Sequence, residues 1–305
     1  DSRDDNIHIL NIHIKNMNTT VITLAIQKDG RLTNDTIDFL RKTGLEFESY
    51  KQKLFSSCRN FPLKILFVRD DDIPDYCLSG IVDLGIIGQN ILSEERPTVK
   101  KLLNLRFGFC TLTIAVPKES KINLLSDLND KTIATTYPNS TRNFLLKNNI
   151  TATMVKINGS VEIAPALGVA DAISDLLSTG STLALNDLRP LAKIYDSEAI
   201  LIANEKSIRS KNKKMLLGNL LTRCKGVLSA KNYKYILMSA PEEKLGKITK
   251  MLPALTSPTL STISKKGVAT LQTVIKEDVL WETISAIKTL GARDIYVLPI
   301  EKIIT

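Results

Sequence analysis

The chain has 305 residues, a formal charge of +9, 43% hydrophobic residues and 5% aromatics. At roughly 100–200 residues per domain, two or three domains with real cores are expected, and the apolar and charged fractions exclude a wholly disordered or collagen-like chain. No uncharged apolar run reaches the roughly 18–20 residues that span a bilayer. Asp1-Ser2-Arg3-Asp4-Asp5 lacks a basic stretch leading into an apolar one, so a cytoplasmic protein without membrane contact is expected.

Residues 1–16 read as an appendage ahead of a candidate start at Met17-Asn18-Thr19-Thr20. Val21–Ile26 is a β-branched run that predicts a strand. Gln27-Lys28-Asp29-Gly30-Arg31 follows, and Thr33 is expected to cap a helix with Asp35 in its first turn and Ile37 and Leu40 on one face. Ile65–Val68 predicts a second strand, leading through Arg69-Asp70-Asp71-Asp72-Ile73-Pro74 to a short helix ended by Gly80. Val82–Ile87, closed by Gly88, predicts a third strand. Strands alternating with short helices give an α/β architecture with a largely parallel sheet.

A second unit repeats the pattern. Phe109–Val116 predicts a strand stopped by Pro117, and Ile122–Leu128 a short helix. Thr132–Thr136 and Thr151–Ile157 predict strands around a helix at Thr141–Lys147. Asn158-Gly159-Ser160 turns into a helical stretch reaching Leu167, Ala170–Leu177 is apolar, and Leu191–Ala203 is extended. Lys206–Lys214 is a basic linker that reads as a solvated connector or helix start rather than a nucleic-acid contact, because no aromatics interleave its charges. From Tyr233 the order is strand (Tyr233–Ala240), helix opened by Pro241 and Glu242-Glu243, strands at Thr259–Ser264 and Gly267–Ile275, helix (Val279–Leu290) and strand (Ile295–Leu298). That β-α-β-β-α-β order is ferredoxin-like.

Cys58, Cys77, Cys110 and Cys224 form no CxxC pair, which fits buried thiols and supports neither a zinc site nor a disulfide framework. His8 and His13 are the only histidines, and both lie in the appendage. Ser-His-Asp and Cys-His chemistry and imidazole metal sites are therefore excluded from the folded body. Carboxylates, Lys/Arg, backbone amides or a hard metal held by oxygen must carry whatever chemistry occurs.

The chemically informative stretch is Asp171-Ala172-Ile173-Ser174-Asp175-Leu176-Leu177-Ser178-Thr179-Gly180-Ser181-Thr182-Leu183. An apolar strand ends in small hydroxyl residues around one glycine, and a helix then begins. Converging N–H groups and the helix N-terminus suit a phosphate there. Gly180 permits a tight turn and close approach of the anion. Asp171 and Asp175 can accept from ribose hydroxyls or hold hydrated Mg²⁺. An ordinary strand-to-helix turn with threonine as N-cap fits the spacing equally.

The loop resembles the phosphoribosyl-pyrophosphate (PRPP) motif of phosphoribosyltransferases, with Asp175 as the second acid and Ser174 where the first would stand. Further motifs, in order, resemble the long form of the ATP phosphoribosyltransferase family. They are Gln27-Lys28-Asp29-Gly30-Arg31-Leu32, Val68-Arg69-Asp70-Asp71-Asp72-Ile73-Pro74, Val82-Asp83-Leu84-Gly85-Ile86-Ile87-Gly88, Asn158-Gly159-Ser160-Val161-Glu162 and Leu298-Pro299-Ile300-Glu301-Lys302. The resemblance implies a bilobal core of the type II periplasmic-binding-protein kind, with lobe I at residues 17–110 completed by 191–222 and lobe II at 111–190. It also implies a ferredoxin-like, ACT-like regulatory domain at residues 223–305 that binds L-histidine, a Mg²⁺ requirement, and a homo-oligomer between dimer and hexamer.

The implied reaction joins N1 of ATP to C1 of the PRPP ribose with loss of pyrophosphate. Adenine N1 already offers a lone pair, so the demand falls on positioning and on stabilising departing negative charge, which a core without histidine can meet. Two polyanionic substrates also suit a net charge of +9. Ser178, Thr179, Gly180, Ser181 and Thr182 would hold the 5′-phosphate, and Asp171 and Asp175 the ribose or its metal. Lys28, Gly30, Arg31, Arg69, Asp70 and Glu162 would face ATP, with a surface salt bridge the alternative for Arg31 and helix capping for the Asp70 run. Ser239, Ala240 and Thr259 are the candidates for the histidine site, with plain element ends the alternative. Three rival readings remain: a solute-binding protein of the same fold, another phosphoribosyltransferase, and a catalytically inactive regulatory relative.

Overall fold

β-branched runs fill strand interiors, where a stiff side chain packs well on a pleated surface. The computed structural model describes residues 20–48, 54–178, 181–253, 258–262 and 267–304, without the side chains of residues 181, 182, 261 and 262. The expectations for residues 1–16, Thr179 and Gly180 lie outside the described residues, as do those for the hydroxyls of Ser181 and Thr182. The chain packs as two units, one of residues 20–38 and 45–217, the other of residues 39–44 and 218–304.

In the first unit the chain builds lobe I with β1 (Ile22–Gln27), α1 (Thr33–Lys42), β2 (Phe55–Ser57), β3 (Leu63–Val68), α2 (Ile73–Ser79), β4 (Leu84–Gly88), α3 (Gln89–Glu95) and β5 (Lys100–Asn104). It crosses into lobe II as β6 (Cys110–Pro117), β7 (Thr132–Thr135), α4 (Pro138–Lys147), β8 (Thr153–Lys156), β9 (Ala172–Leu177), α5 (Ser181–Leu185) and β10 (Leu188–Ser197). It returns as β11 (Ala199–Ala203), followed by α6 (Glu205–Arg209) and α7 (Lys211–Ala230), of which residues 218–230, like residues 39–42 of α1, belong to the second unit.

The sheet orders are β2-β3-β1-β4-β11-β5 and β10-β6-β9-β7-β8. β1 is parallel to β3 and β4, and β7 to β8 and β9. The antiparallel neighbour of the third parallel strand is in each case the strand that has just crossed from the other lobe, β11 beside β4 and β6 beside β9. Two lobes with one shared strand order and two crossings are the binding-protein-like core expected above. Ile73, Cys77, Ile87, Ile91, Ile200 and Ile202 pack one face of the first sheet. Separate clusters around Ile114, Ile133 and Leu145 and around Ala134, Val161 and Ile173 cover the second sheet.

Two local expectations change, and the basic linker takes the helix-start alternative. β10 pairs with β6 as far as Ser197 opposite Cys110, so residues 191–197 belong to lobe II and lobe I resumes only at Ala199. Thr33 does not cap α1; its hydroxyl is buried without a partner, and Gln27 Oε1 takes the Leu32 N–H at 2.9 Å instead. The basic linker is α6 and the start of α7, with Asn204 capping α6 through Ser207 N at 3.0 Å.

The second unit contains β12 (Tyr233–Pro241), α8 (Leu245–Met251), β13 (Thr259–Thr262), β14 (Val268–Lys276), α9 (Leu280–Thr289) and β15 (Arg293–Pro299). This is the expected β-α-β-β-α-β order, in an antiparallel sheet arranged β13-β14-β12-β15. Ile236, Met238, Ala240, Leu271 and Ile275 alternate onto one face and meet Ile248, Leu280 and Ile287 from the helices. Pro241 ends the strand rather than opening the helix.

Candidate active site

The C-terminal ends of the parallel strands carry the site, as open α/β sheets require. At the end of β1 the buried Gln27 side chain folds under its own turn, and its amide lies where a Cβ on Gly30 would go, 2.3 Å from Nε2. Gly30 adopts φ 143, so only glycine fits without strain. The turn presents Arg31, whose Nη1 donates to the carbonyl of Gly108 in the segment that crosses to lobe II. Burial and the neighbouring Asp71 push the Asp70 carboxyl, at the end of β3, above its ordinary value, with Arg31 opposing them. Arg31 and Asp70 are therefore brought together. Lys28 is half-buried, with its N–H on the Val68 carbonyl at 2.8 Å, and Arg69 is exposed.

On lobe II, the alternation of β9 decides which residues face what. Ser174 is fully buried, and its hydroxyl accepts from Thr141 Oγ1 at 2.8 Å. The missing first acid of the general motif is therefore an interior position beneath α4. Asp175 points the other way. Desolvation raises its carboxyl above the usual aspartate value, the Leu176 N–H at 2.8 Å opposes this, and the charge of Glu162 adds to it. Asp175 and Glu162 thus share one neighbourhood, although they stand 13 positions apart in the sequence.

Tyr137, which the sequence reading missed, joins them. Burial and then Asp175 push its phenol up, and Arg31 pulls it down. The signal was available, since Tyr137-Pro138 follows the end of β7. Asn90, in the first turn of α3, donates to the Tyr137 hydroxyl at 3.4 Å and exchanges hydrogen bonds with Ser197 at 3.0 and 3.1 Å. Cys110 is buried beside Arg31, and its thiol is raised by burial, as a packing residue's would be. A cavity of about 420 Å³ opens here, lined by Asn104, Cys110, Leu177, Ser178, Ser197 and Glu198 among others. Ser178, the first residue of the hydroxyl loop, therefore borders the crossing segments. Arg31 and Asp70 of lobe I and Tyr137, Asp175 and Glu162 of lobe II thus share one electrostatic neighbourhood, while Ser178 lines the cavity at the crossing segments.

Asp171 does not belong to this group. It precedes β9, and its Oδ2 accepts from Thr132 N at 2.9 Å. Four positions along the extended chain separate it from Asp175, a span of roughly 13 Å at about 3.3 Å per residue. Its carboxylate ties strand starts together and cannot share a cation with Asp175. Among the described residues no cluster of three or more acidic, histidine or cysteine side chains is arranged to hold a metal.

In the C-terminal module Ser239 and Thr259 lie opposite Thr270 and Gln272 of β14, on the sheet face away from the helices. Ala240 points into the core at 2% exposure, which removes its side chain from any ligand site on that face.

A family model described as ATP phosphoribosyltransferase matches residues 69–226, and one described as HisG, C-terminal domain, matches residues 230–302. The ATP phosphoribosyltransferase of Cytophaga hutchinsonii is 43% identical over 286 residues, covering 94% of this chain and 99% of its own. The chain belongs to the ATP phosphoribosyltransferase family. That of Bacteroides thetaiotaomicron is 42% identical over 284 residues, 93% of this chain and all of its own. A solved ATP phosphoribosyl transferase (HisG:HisZ) complex from Thermotoga maritima superposes with a TM-score of 0.57 at 29% identity, covering 67% of this chain and 98% of that one. ATP phosphoribosyltransferases are transferases of histidine biosynthesis, so this chain is an enzyme, and the solute-receptor reading falls. No helix among the described residues is long and apolar enough to cross a membrane.

Proposed function

We propose that the cleft transfers the 5-phosphoribosyl group of PRPP to N1 of ATP, the first step of L-histidine biosynthesis. The observation that carries this reading is the meeting of Arg31 and Asp70 from lobe I with Tyr137, Asp175 and Glu162 from lobe II. The N1 lone pair forms the new bond to C1 of the ribose while the C1–oxygen bond breaks and its electron pair leaves with pyrophosphate. Arg31 offsets the departing charge, Asp175 accepts from ribose hydroxyls, and the amides and hydroxyls of residues 178–182 hold the 5′-phosphate. Glu162, Lys28 and Arg69 would complete the contacts to ATP. Mg²⁺ enters as the chelate of the polyphosphate substrates, since hard cations take phosphate and water oxygens readily.

L-histidine is the proposed inhibitor at the C-terminal module, on the face that carries Ser239 and Thr259. The same face exposes Tyr296 at 59% and Leu298 at 46%, opposite Leu237 and Tyr235, and supports association with further copies of the chain in a cytoplasmic homo-oligomer. The test is incubation with ATP, PRPP and Mg²⁺, following the phosphoribosyl-ATP chromophore with and without histidine. Turnover is expected, and Arg31→Ala should lower kcat/KM by about 10- to 150-fold, the worth of a charge-assisted hydrogen bond of 1.5–3 kcal/mol. An Arg31→Ala rate equal to wild type would place Arg31 among ordinary surface cations.

A further inference from the structure

The first turn of α4 takes its cap from the other lobe. Tyr137 makes no side-chain cap hydrogen bond, and Pro138 at the first position has no N–H to satisfy. The next two amides, of Asn139 and Ser140, donate to the two carboxylate oxygens of Glu94, each at 2.8 Å. The Asn139 side chain adds a bond to the Glu94 backbone carbonyl at 3.3 Å. Glu94 stands on α3 in lobe I, whereas α4 belongs to lobe II. One helical turn earlier, Asn90 holds the Tyr137 hydroxyl and the end of β10 at Ser197. Two residues four apart on α3 thus hold the same turn of α4, one at the crossing and one beyond it.

We infer that Glu94 is a positioning residue for the phosphoribosyl transfer: docked on the N-terminal end of α4, it holds the lobes closed and keeps Tyr137 beside Asp175 and Arg31. The role rests on the reaction proposed above. Separating the lobes strips two helix amides of their acceptor and Glu94 of both donors. A cap of this kind is worth roughly 2- to 30-fold in an equilibrium constant. Closure matters because a ribose centre gaining cationic character must be kept from water, and because the groups for the two substrates sit on different lobes. Apparent affinity scales with the closed fraction, whereas saturating substrates pull the lobes together and spare kcat.

The test compares the full-length wild type with Glu94→Ala, Glu94→Gln and, as a control, Glu95→Ala, the neighbouring exposed acid. Amide hydrogen exchange without substrates should accelerate at Asn139 and Ser140 in Glu94→Ala and stay slow in the control. KM for both ATP and PRPP should rise about 2- to 30-fold, with kcat within about twofold and Glu94→Gln, which keeps one acceptor oxygen, falling between. Unchanged exchange at the two amides overturns the proposal even in a preparation without turnover. Faster exchange with unchanged KM values also overturns it, reducing the contact to a helix cap. Absent turnover in the wild type would instead defeat the reaction reading, and the exchange result would still decide whether Glu94 clamps α4.

Discussion

Replacing Gly30 by alanine puts a methyl group where the Gln27 amide lies, 2.3 Å from Nε2 and 2.7 Å from Cδ. The residue also holds φ 143, a conformation that L side chains rarely adopt and that costs roughly 1–3 kcal/mol outside glycine. If the amide yields, its bond to Leu32 N at 2.9 Å is lost, a further 0.5–1.5 kcal/mol or so. The sum is about 1.5–4.5 kcal/mol, which at about 2–4 °C per kcal/mol for a unit of this size lowers Tm by roughly 3–18 °C. Calorimetry of Gly30→Ala, Gln27→Ala and the double variant checks the account. Because the Gln27–Leu32 bond can be lost only once, the double variant should fall short of additivity by about 0.5–1.5 kcal/mol. ATP use should weaken alongside, since the same turn presents Arg31. A Tm loss under about 2 °C, or strict additivity, would refute the reasoning that the turn is built around a missing side chain.

Asp175→Asn should abolish most turnover yet stabilise the fold. Burial raises the native Asp175 carboxyl, so the native state holds its proton more tightly than the unfolded chain. Stability therefore falls as pH rises from the ordinary aspartate value through the raised one, and the neutral asparagine escapes that loss. The Tm advantage of Asp175→Asn, followed by calorimetry, should grow from about pH 4 towards neutrality and then level off; an advantage that shrinks over that range contradicts the assignment. Asp83→Ala is the contrasting case. The buried Asp83 accepts from Thr23 N at 2.9 Å, from the Ser207 hydroxyl and from Lys213 Nζ at 2.6 Å. Removing it should cost about 3–5 kcal/mol in urea unfolding, towards the lower end because Lys213 keeps 32% of its side chain exposed. A loss below about 1 kcal/mol would mean the pair contributes no more than a surface contact.

The parallel strands were legible because their apolar runs are long and bounded by Gly or Pro, as at β4 before Gly88 and β6 at Pro117. β5, with exposed lysines at Lys100 and Lys101, and β2, of three residues, present no such run, and only their neighbours in the sheet make them strands. The lobe boundary near residue 198 was misjudged because Leu191–Ala203 is extended throughout; which sheet each half joins is a matter of pairing rather than propensity. Helix α4 shows the same limit. Its cap lies 45 residues upstream on another lobe, beyond any local capping signature.

The two acids of the hydroxyl-loop segment show how motif spacing mixes two kinds of work. Asp171 and Asp175 both lie in the resembling stretch, yet one closes a strand start on Thr132 while the other lies half-buried among Glu162, Tyr137 and Arg31. A strand places residues of equal parity on one face, so parity alone would have paired them. What separates them is distance along β9, and ligand groups gather only at the C-terminal ends of these strands. The same criterion sorts Asp83 from Asp70: Asp83 enters at the start of β4 and holds helices, whereas Asp70 leaves the end of β3 and meets Arg31. In this fold, an acidic residue in a shared motif bears on the chemistry when it lies at or beyond the C-terminal end of its strand, and on the architecture when it precedes the strand.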